Sequence, residues 1–141
     1  LIHRQLGVRQ YPGLTDIVVN GLSQELAVQR AAPGLDVVAS GEVEGDPFAI
    51  LSSDAMRDFL THARAVYDVV LVDIPPLSLC HEGAIAAGFC DACVIVVDEA
   101  RTRRTVLETA LASLKTMHDS VLVSVLNRRT YPIPEFIYKR V

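Results

Sequence analysis

Three continuous apolar runs and two amphipathic stretches alternate along the second half of the chain. The runs at 69–73, 92–97 and 121–126 are rich in valine and leucine, which predicts strands buried on both faces. Apolar residues recur at three- and four-residue spacing over 56–66 and 102–117, which predicts helices with one buried face. A short helix is expected within 77–89. The alternation predicts an α/β fold, a mostly parallel sheet with covering helices.

The first half of the chain has weaker periodicity. Its pattern predicts a short helix at 14–19, a fainter helical stretch at 23–30, a turn at Pro33-Gly34 and a short strand at 35–39. Residues 40–47 contain two glycines and a proline, which is typical of a surface loop. Ser52 and Ser53 are suitable caps for the helix that follows.

Length and composition narrow the classes of protein. A chain of 141 residues favours one domain, and a hydrophobic content of 50% excludes a disordered tail. The formal net charge of -4 argues against a nucleic-acid partner. No apolar run approaches the roughly 20 residues that span a bilayer, so we expect a soluble chain.

Three cysteines, an odd number, favour reduced thiols and a cytosolic setting. Since residue 1 is leucine, we expect that something upstream has been lost or removed.

Asp73 is the first candidate for chemistry. It ends the apolar run at 69–72 and is followed closely by Pro75 and Pro76, which stop the strand. The carboxyl ends of strands are where open α/β sheets bind ligands, and a carboxylate is a hard oxygen ligand of the kind that Mg²⁺ prefers. The alternative is an aspartate that caps the next turn. No Gly-x-x-x-x-Gly-Lys-Ser/Thr phosphate loop occurs in the sequence.

Several motifs together resemble a known family. They are, in chain order, Pro12-Gly13-Leu14-Thr15-Asp16, Leu35-Asp36-Val37-Val38-Ala39-Ser40-Gly41, Leu51-Ser52-Ser53 with Met56 and Leu60, Tyr67-Asp68-Val69-Val70-Leu71-Val72-Asp73-Ile74-Pro75-Pro76, Arg101-Thr102-Arg103-Arg104 and Val125-Leu126-Asn127-Arg128. The set resembles the cytoplasmic kinase domain of bacterial tyrosine autokinases of capsular and exopolysaccharide assembly. These kinases belong to the deviant-Walker group of P-loop ATPases.

The resemblance implies ATP and Mg²⁺ as cofactors. Asp73 would be the catalytic aspartate that holds Mg²⁺, and Pro75 and Pro76 would stiffen the loop that senses the γ-phosphate. Asn127 would contact the adenine edge, with Arg128 beside the nucleotide. The alternative for Asn127 is a turn-forming residue after a strand, and the alternative for Arg128 is a solvated side chain.

The resemblance is to the carboxyl-terminal part of the kinase domain. The family's phosphate loop and second aspartate motif lie upstream of the segment that matches Leu1. We therefore expect residues 1–141 to form a single partial kinase-like domain, with a basic, proline-containing tail at 126–141. Phosphoryl transfer depends on positioning and charge neutralisation. Because the phosphate loop that would position the nucleotide is missing, we expect this chain alone to be inactive.

Two further groups of residues have both a functional and a plain structural interpretation. Tyr131 and Tyr138 in the tail are possible phosphoacceptors, or they dock the tail through apolar contact. The basic group Arg101, Arg103 and Arg104 is a possible contact for an acidic partner or phosphate, or a solvated face.

The cysteines invite a metal or redox interpretation. Cys90 and Cys93 have Cys-x-x-Cys spacing, with Cys80 and His81 nearby. We favour free cysteines that act as small apolar residues.

Three functions remain open at this stage. The chain is part of a tyrosine autokinase that regulates polysaccharide polymerisation and export, or a non-catalytic docking partner, or a fragment of a partition or cell-division ATPase. The partner would be a membrane polysaccharide co-polymerase or the chain's own upstream segment, with a homo-oligomer possible and no nucleic acid. The expected location is the cytoplasmic face of the bacterial plasma membrane, reached through that partner.

Overall fold

The computed structural model describes residues 2–42, 45–77, 82–117 and 121–129. Within these ranges the chain divides into two compact units, Leu1–Asp73 and Ile74–Val141. No helix in the described ranges is long and apolar enough to cross a membrane.

The first unit combines short helices with one β-hairpin. Its elements are α1 (Ile2–Leu6), α2 (Leu14–Val18), α3 (Gln24–Ala27), β1 (Gln29–Ala32), β2 (Leu35–Val37), α4 (Pro47–Leu51) and α5 (Asp54–Val66). The predicted turn at Pro33-Gly34 joins β1 to β2, and Gly34 has φ of 75°, which glycine adopts without strain. The two strands pair antiparallel. The helical stretch expected at 23–30 is therefore wrong beyond Ala27, because the chain turns into the hairpin there.

Helix α5 follows its sequence pattern closely. Ser53 caps it, since its Oγ accepts a hydrogen bond from Met56 N at 3.2 Å. Met56 is 2% exposed, and Leu60 and Ala63 lie on the same buried face. Helix α2 packs near α5, so these residues belong to the core of the first unit.

The second unit is built around a pair of parallel strands. Its elements are α6 (Glu82–Ala87), β3 (Ala92–Asp98), α7 (Arg104–Met117) and β4 (Val121–Asn127). Strands β3 and β4 pair in parallel from Ala92 opposite Val121 to Asp98 opposite Asn127. This confirms the predicted strand–helix–strand unit, and the α/β class holds for the whole chain. Ala87 and Leu114 form its buried core, with Leu77, Cys93 and Ile95 packed against them.

The other face of this sheet is exposed, contrary to the prediction. Val94 and Val96 are 60% and 62% exposed, and their register partners Val123 and Val125 are 45% and 46% exposed. Strands buried on both faces need a covering layer on each side. The described residues supply a covering layer on the Cys93 and Ile95 face only.

The strand predicted at 69–73 is also absent from the described structure. Residues 68–76 carry no regular secondary structure, and Val69 and Leu71 are 74% and 88% exposed. A strand exists only when its backbone groups pair with a neighbour. Among the described residues, none makes a backbone–backbone hydrogen bond with 68–77.

Candidate functional site

Asp98 organises the carboxyl edge of the parallel pair. Its backbone N–H donates to Thr102 Oγ1 at 3.1 Å, and its Oδ1 accepts from Ala100 N at 3.1 Å. Its Oδ2 accepts from Arg128 Nη1 at 3.1 Å, with the Asp98 side chain 24% exposed. The loop after β3 is thus tied to the residue that follows β4.

Asn127 is the last residue of β4, where the apolar run predicted that the strand would end, and Arg128 follows it. Asn127 is the register partner of Asp98, and its carbonyl oxygen accepts from Glu99 N at 3.2 Å. The Asn127 Oδ1 accepts from Arg128 N at 2.9 Å, and Arg128 has a left-handed φ of 54°. Within the described ranges no hydrogen bond occupies Asn127 Nδ2, so this donor is available to a ligand. Contact with a base stays a prediction.

Asp73 is the last residue of the first unit and follows segment 68–72, which has no regular secondary structure. Its side chain is exposed and makes no hydrogen bond or ion pair within the described part of the chain. An exposed carboxylate without a protein partner is chemically suited to Mg²⁺, which takes oxygen ligands. Pro75 and Pro76 are also exposed and begin the second unit.

The basic group predicted as a partner contact is exposed. Arg101 N donates to Asp98 O at 3.2 Å, which fixes its backbone beside the strand edge. Arg104 Nε pairs with Glu108 at 2.8 Å, and the Arg104 side chain is 90% exposed. In the described ranges, the guanidinium groups of Arg101 and Arg103 have no ion-pair partner. They are therefore the two cations of this group that are free to meet an anion.

No sequence motif predicts a cluster that the structure forms from Arg30, Asp36 and Tyr67. Arg30 and Asp36 face each other in the β1–β2 register and form an ion pair, with Arg30 Nη2 3.3 Å from Asp36 Oδ2. The Tyr67 hydroxyl, just after α5, donates to the same oxygen at 2.9 Å. This hydrogen bond to a carboxylate raises the pKa of Tyr67 above 10, with desolvation and the negative charge of Asp36 acting in the same direction.

Two of the family-like motifs contact each other. Leu14 N and Thr15 N, at the start of α2, donate to Ala39 O at 2.8 Å and to Ser40 O at 3.1 Å. Gly13 is buried against the backbone of Gly41. Both motifs therefore hold the fold of the first unit together.

Some predicted site residues lie outside the described residues. Tyr131 and Tyr138 are in this category, as are Cys80 and His81 of the cysteine-rich segment. Neither Cys90 nor Cys93 forms a disulfide, and Cys90 Sγ donates to Ala86 O at 3.3 Å. In the described ranges no three His, Cys, Asp or Glu side chains gather into a metal-binding group.

Comparison with known proteins gives a consistent family of relatives. No protein-family model matches the chain. The chain is 29% identical over 127 residues to tyrosine-protein kinase YwqD of Bacillus subtilis strain 168. The aligned residues cover 89% of this chain and 54% of YwqD. The solved kinase domain of VpsO matches with a TM-score of 0.83 at 25% identity, covering 92% of this chain and 64% of that one. The kinase domain of Escherichia coli tyrosine kinase ETK matches with a TM-score of 0.86 at 21% identity, covering 95% and 54%.

The chain thus spans about half the length of YwqD and of the CpsD kinases that it matches, in their carboxyl-terminal part. The resemblance found in the sequence motifs is confirmed, and so is the α/β fold class. Because these relatives match the chain in both sequence and fold, the chain is homologous to bacterial tyrosine-protein kinases and has the fold of part of their kinase domain.

Proposed function

We propose that this chain is the carboxyl-terminal part of a protein-tyrosine autokinase that regulates capsule or exopolysaccharide polymerisation and export. The observation that carries the proposal is Asp73, an exposed carboxylate without a protein partner in the described ranges, at the end of an apolar segment. The relatives that are named tyrosine-protein kinases support it.

In a complete kinase domain, Asp73 would hold Mg²⁺ through a carboxylate oxygen. Asn127 would donate its free amide hydrogens to the nucleotide base, and Arg128 would lie beside the nucleotide. Pro75 and Pro76 would restrict the backbone after Asp73, because proline fixes φ. ATP, when bound, supplies the phosphoryl group, and Tyr131 and Tyr138 are the acceptors that we propose within this sequence.

The phosphate loop would come from the chain's own upstream segment. Two surfaces in the described structure would accept more protein: the unpaired segment 68–76 and the exposed valine face of β3 and β4. Residues 1–141 would then be one partial kinase domain, completed by that segment. Alone, the chain should transfer no phosphate.

The test compares two lengths of polypeptide. The longer one carries this chain together with an upstream phosphate loop, and the shorter one is residues 1–141. We expect ATP- and Mg²⁺-dependent tyrosine autophosphorylation only in the longer polypeptide, reduced at least about 100-fold by Asp73→Ala. Asp68→Ala, which removes an exposed carboxylate five residues earlier, is the matched control and should retain activity. Full activity of Asp73→Ala would refute the assignment.

A second candidate is a non-catalytic docking role. It is favoured by the free guanidinium groups of Arg101 and Arg103 at an exposed edge. They would bind an acidic surface on a membrane polysaccharide co-polymerase or a complete kinase, and so bring the chain to the cytoplasmic face of the membrane. Binding of the purified co-polymerase without ATP, abolished by Arg101→Glu with Arg103→Glu but kept by Arg57→Glu, would support this role. Equal binding by all variants would contradict it.

A further inference from the structure

Tyr67 connects three elements of the first unit at the start of the segment that leads to Asp73. Its backbone N–H donates to Ala63 O at 2.9 Å, which closes the last turn of α5. Its hydroxyl donates to Asp36 Oδ2 on β2. The Asp36 side chain is 16% exposed and is held by Arg30 from β1. Tyr67 is therefore fixed by both backbone and side chain.

The residues that follow have no such support. No backbone–backbone hydrogen bond involves 68–77 within the described residues, and Val69 and Leu71 are mostly exposed. On the amino side of Asp73, the last residue held by a hydrogen bond in the described structure is Tyr67. The direction in which the segment leaves α5 is set at this point.

We propose that Tyr67, Asp36 and Arg30 form an anchor that aims the segment carrying Asp73, which makes Tyr67 a positioning residue for the metal-binding carboxylate. Asp73 follows Tyr67 by six residues, which span at most about 20 Å when the chain is fully extended. Over that length a rotation of about 3° at Tyr67 moves Asp73 by about 1 Å. Displacements of that size can cost about 100-fold in the rate of a positioned reaction.

The anchor itself can be tested on residues 1–141 without any kinase activity. Tyr67→Phe removes only the hydroxyl, and Asp36→Asn removes the charge that Arg30 and Tyr67 share. We expect backbone order parameters from ¹⁵N relaxation at 68–70 to fall below about 0.6 in both variants, while those of α5 stay at about 0.85. Asp54→Asn is the matched control, because it breaks another Asp–Arg pair, with Arg57, on the surface of α5. Unchanged order at 68–70 in both variants would overturn the anchor.

The link to Asp73 rests on the proposed function and needs the longer polypeptide with a phosphate loop. There we expect Tyr67→Phe to raise the Mg²⁺ concentration for half-maximal autophosphorylation about 10-fold, as for residues that orient a metal ligand. An unchanged Mg²⁺ requirement beside altered order at 68–70 would overturn the positioning role. If the unsubstituted longer polypeptide lacked activity, the proposed function would fail, and the relaxation data would still decide the anchor.

Discussion

Replacing Gly13 with alanine should break the contact between α2 and the loop at 39–41. Gly13 is buried, and a Cβ atom there would lie 2.7 Å from Ala39 O and closer still to the backbone of Gly41. Those neighbours are main-chain atoms, which cannot rotate away as a flexible side chain would. The loop must therefore move off the start of α2.

The cost follows from the hydrogen bonds that this movement breaks. Leu14 N and Thr15 N each donate to the loop backbone, and Thr15 Oγ1 donates to Ser40 O at 2.9 Å. At about 0.5–1.5 kcal/mol for each of the three, Gly13→Ala should lower the free energy of unfolding by about 2–4 kcal/mol. With a typical urea dependence, the midpoint falls by about 1–2 M.

Urea denaturation followed by far-ultraviolet circular dichroism measures this change. Glu42→Ala is the control, because it shortens an exposed side chain beside the same loop and should change the free energy of unfolding by less than about 0.5 kcal/mol. A Gly13→Ala protein within about 0.5 kcal/mol of the unsubstituted chain would refute the steric argument.

Three further outcomes are expected. The pKa of Tyr67 is raised above its value of 10.0 in the unfolded chain, so the contribution of its hydroxyl to stability is complete below pH 10 and is lost as pH rises through the folded-state pKa. Urea midpoints of the unsubstituted chain and of Tyr67→Phe should therefore differ at pH 8 and converge in strong alkali. A difference that stays constant with pH would contradict this. Met56→Ala should lower the free energy of unfolding, measured by urea denaturation, by about 2–5 kcal/mol because Met56 is 2% exposed. Val66→Ala, at a site 59% exposed on the same helix, should lower it by less than about 1 kcal/mol, and similar losses for the two variants would show that α5 does not bury its Met56 face. Because Val94 and Val96 form an exposed apolar face, we expect the chain to self-associate in sedimentation velocity, and Val94→Thr with Val96→Thr to reduce that association while retaining the circular dichroism spectrum. A monomeric unsubstituted chain, or association that the double variant leaves unchanged, would contradict this.

Local signals predicted the elements that depend on local chemistry. The Ser53 cap, the buried face of α5 and the turn at Pro33-Gly34 all follow from neighbouring residues, and the structure confirms them. The parallel pairing of β3 and β4 was predicted because two valine-rich runs flank one amphipathic helix.

The errors concern features that depend on distant parts of a chain. An apolar run such as 69–73 has the side chains of a buried strand. Whether it becomes a strand depends on another backbone lying beside it to pair with. The hairpin partner of β2 was missed because Gln29–Ala32 carries little hydrophobic pattern.

For the candidate site, the apolar run at 121–126 predicted only that Asn127 would end a strand, which the structure confirms. The nucleotide contacts of Asn127 and Arg128 came from the family resemblance and stay predictions. Asp98 ends the run at 92–97 just as Asp73 ends its own, so the same reasoning could have found it. The hydrogen bond between Tyr67 and Asp36 joins residues far apart in sequence, and no sequence motif predicts it.

The close approach of Gly13 and Gly41 has a consequence for how this sequence can change over evolution. Gly41 has φ of 79°, and a Cβ there would meet the Thr15 side chain, so both positions exclude any larger residue for reasons of space. Neither glycine carries a functional group that could serve a ligand. Strict retention of glycine at 13 and 41 among homologues would thus record packing, and a search for active-site residues that ranks positions by invariance would select them mistakenly.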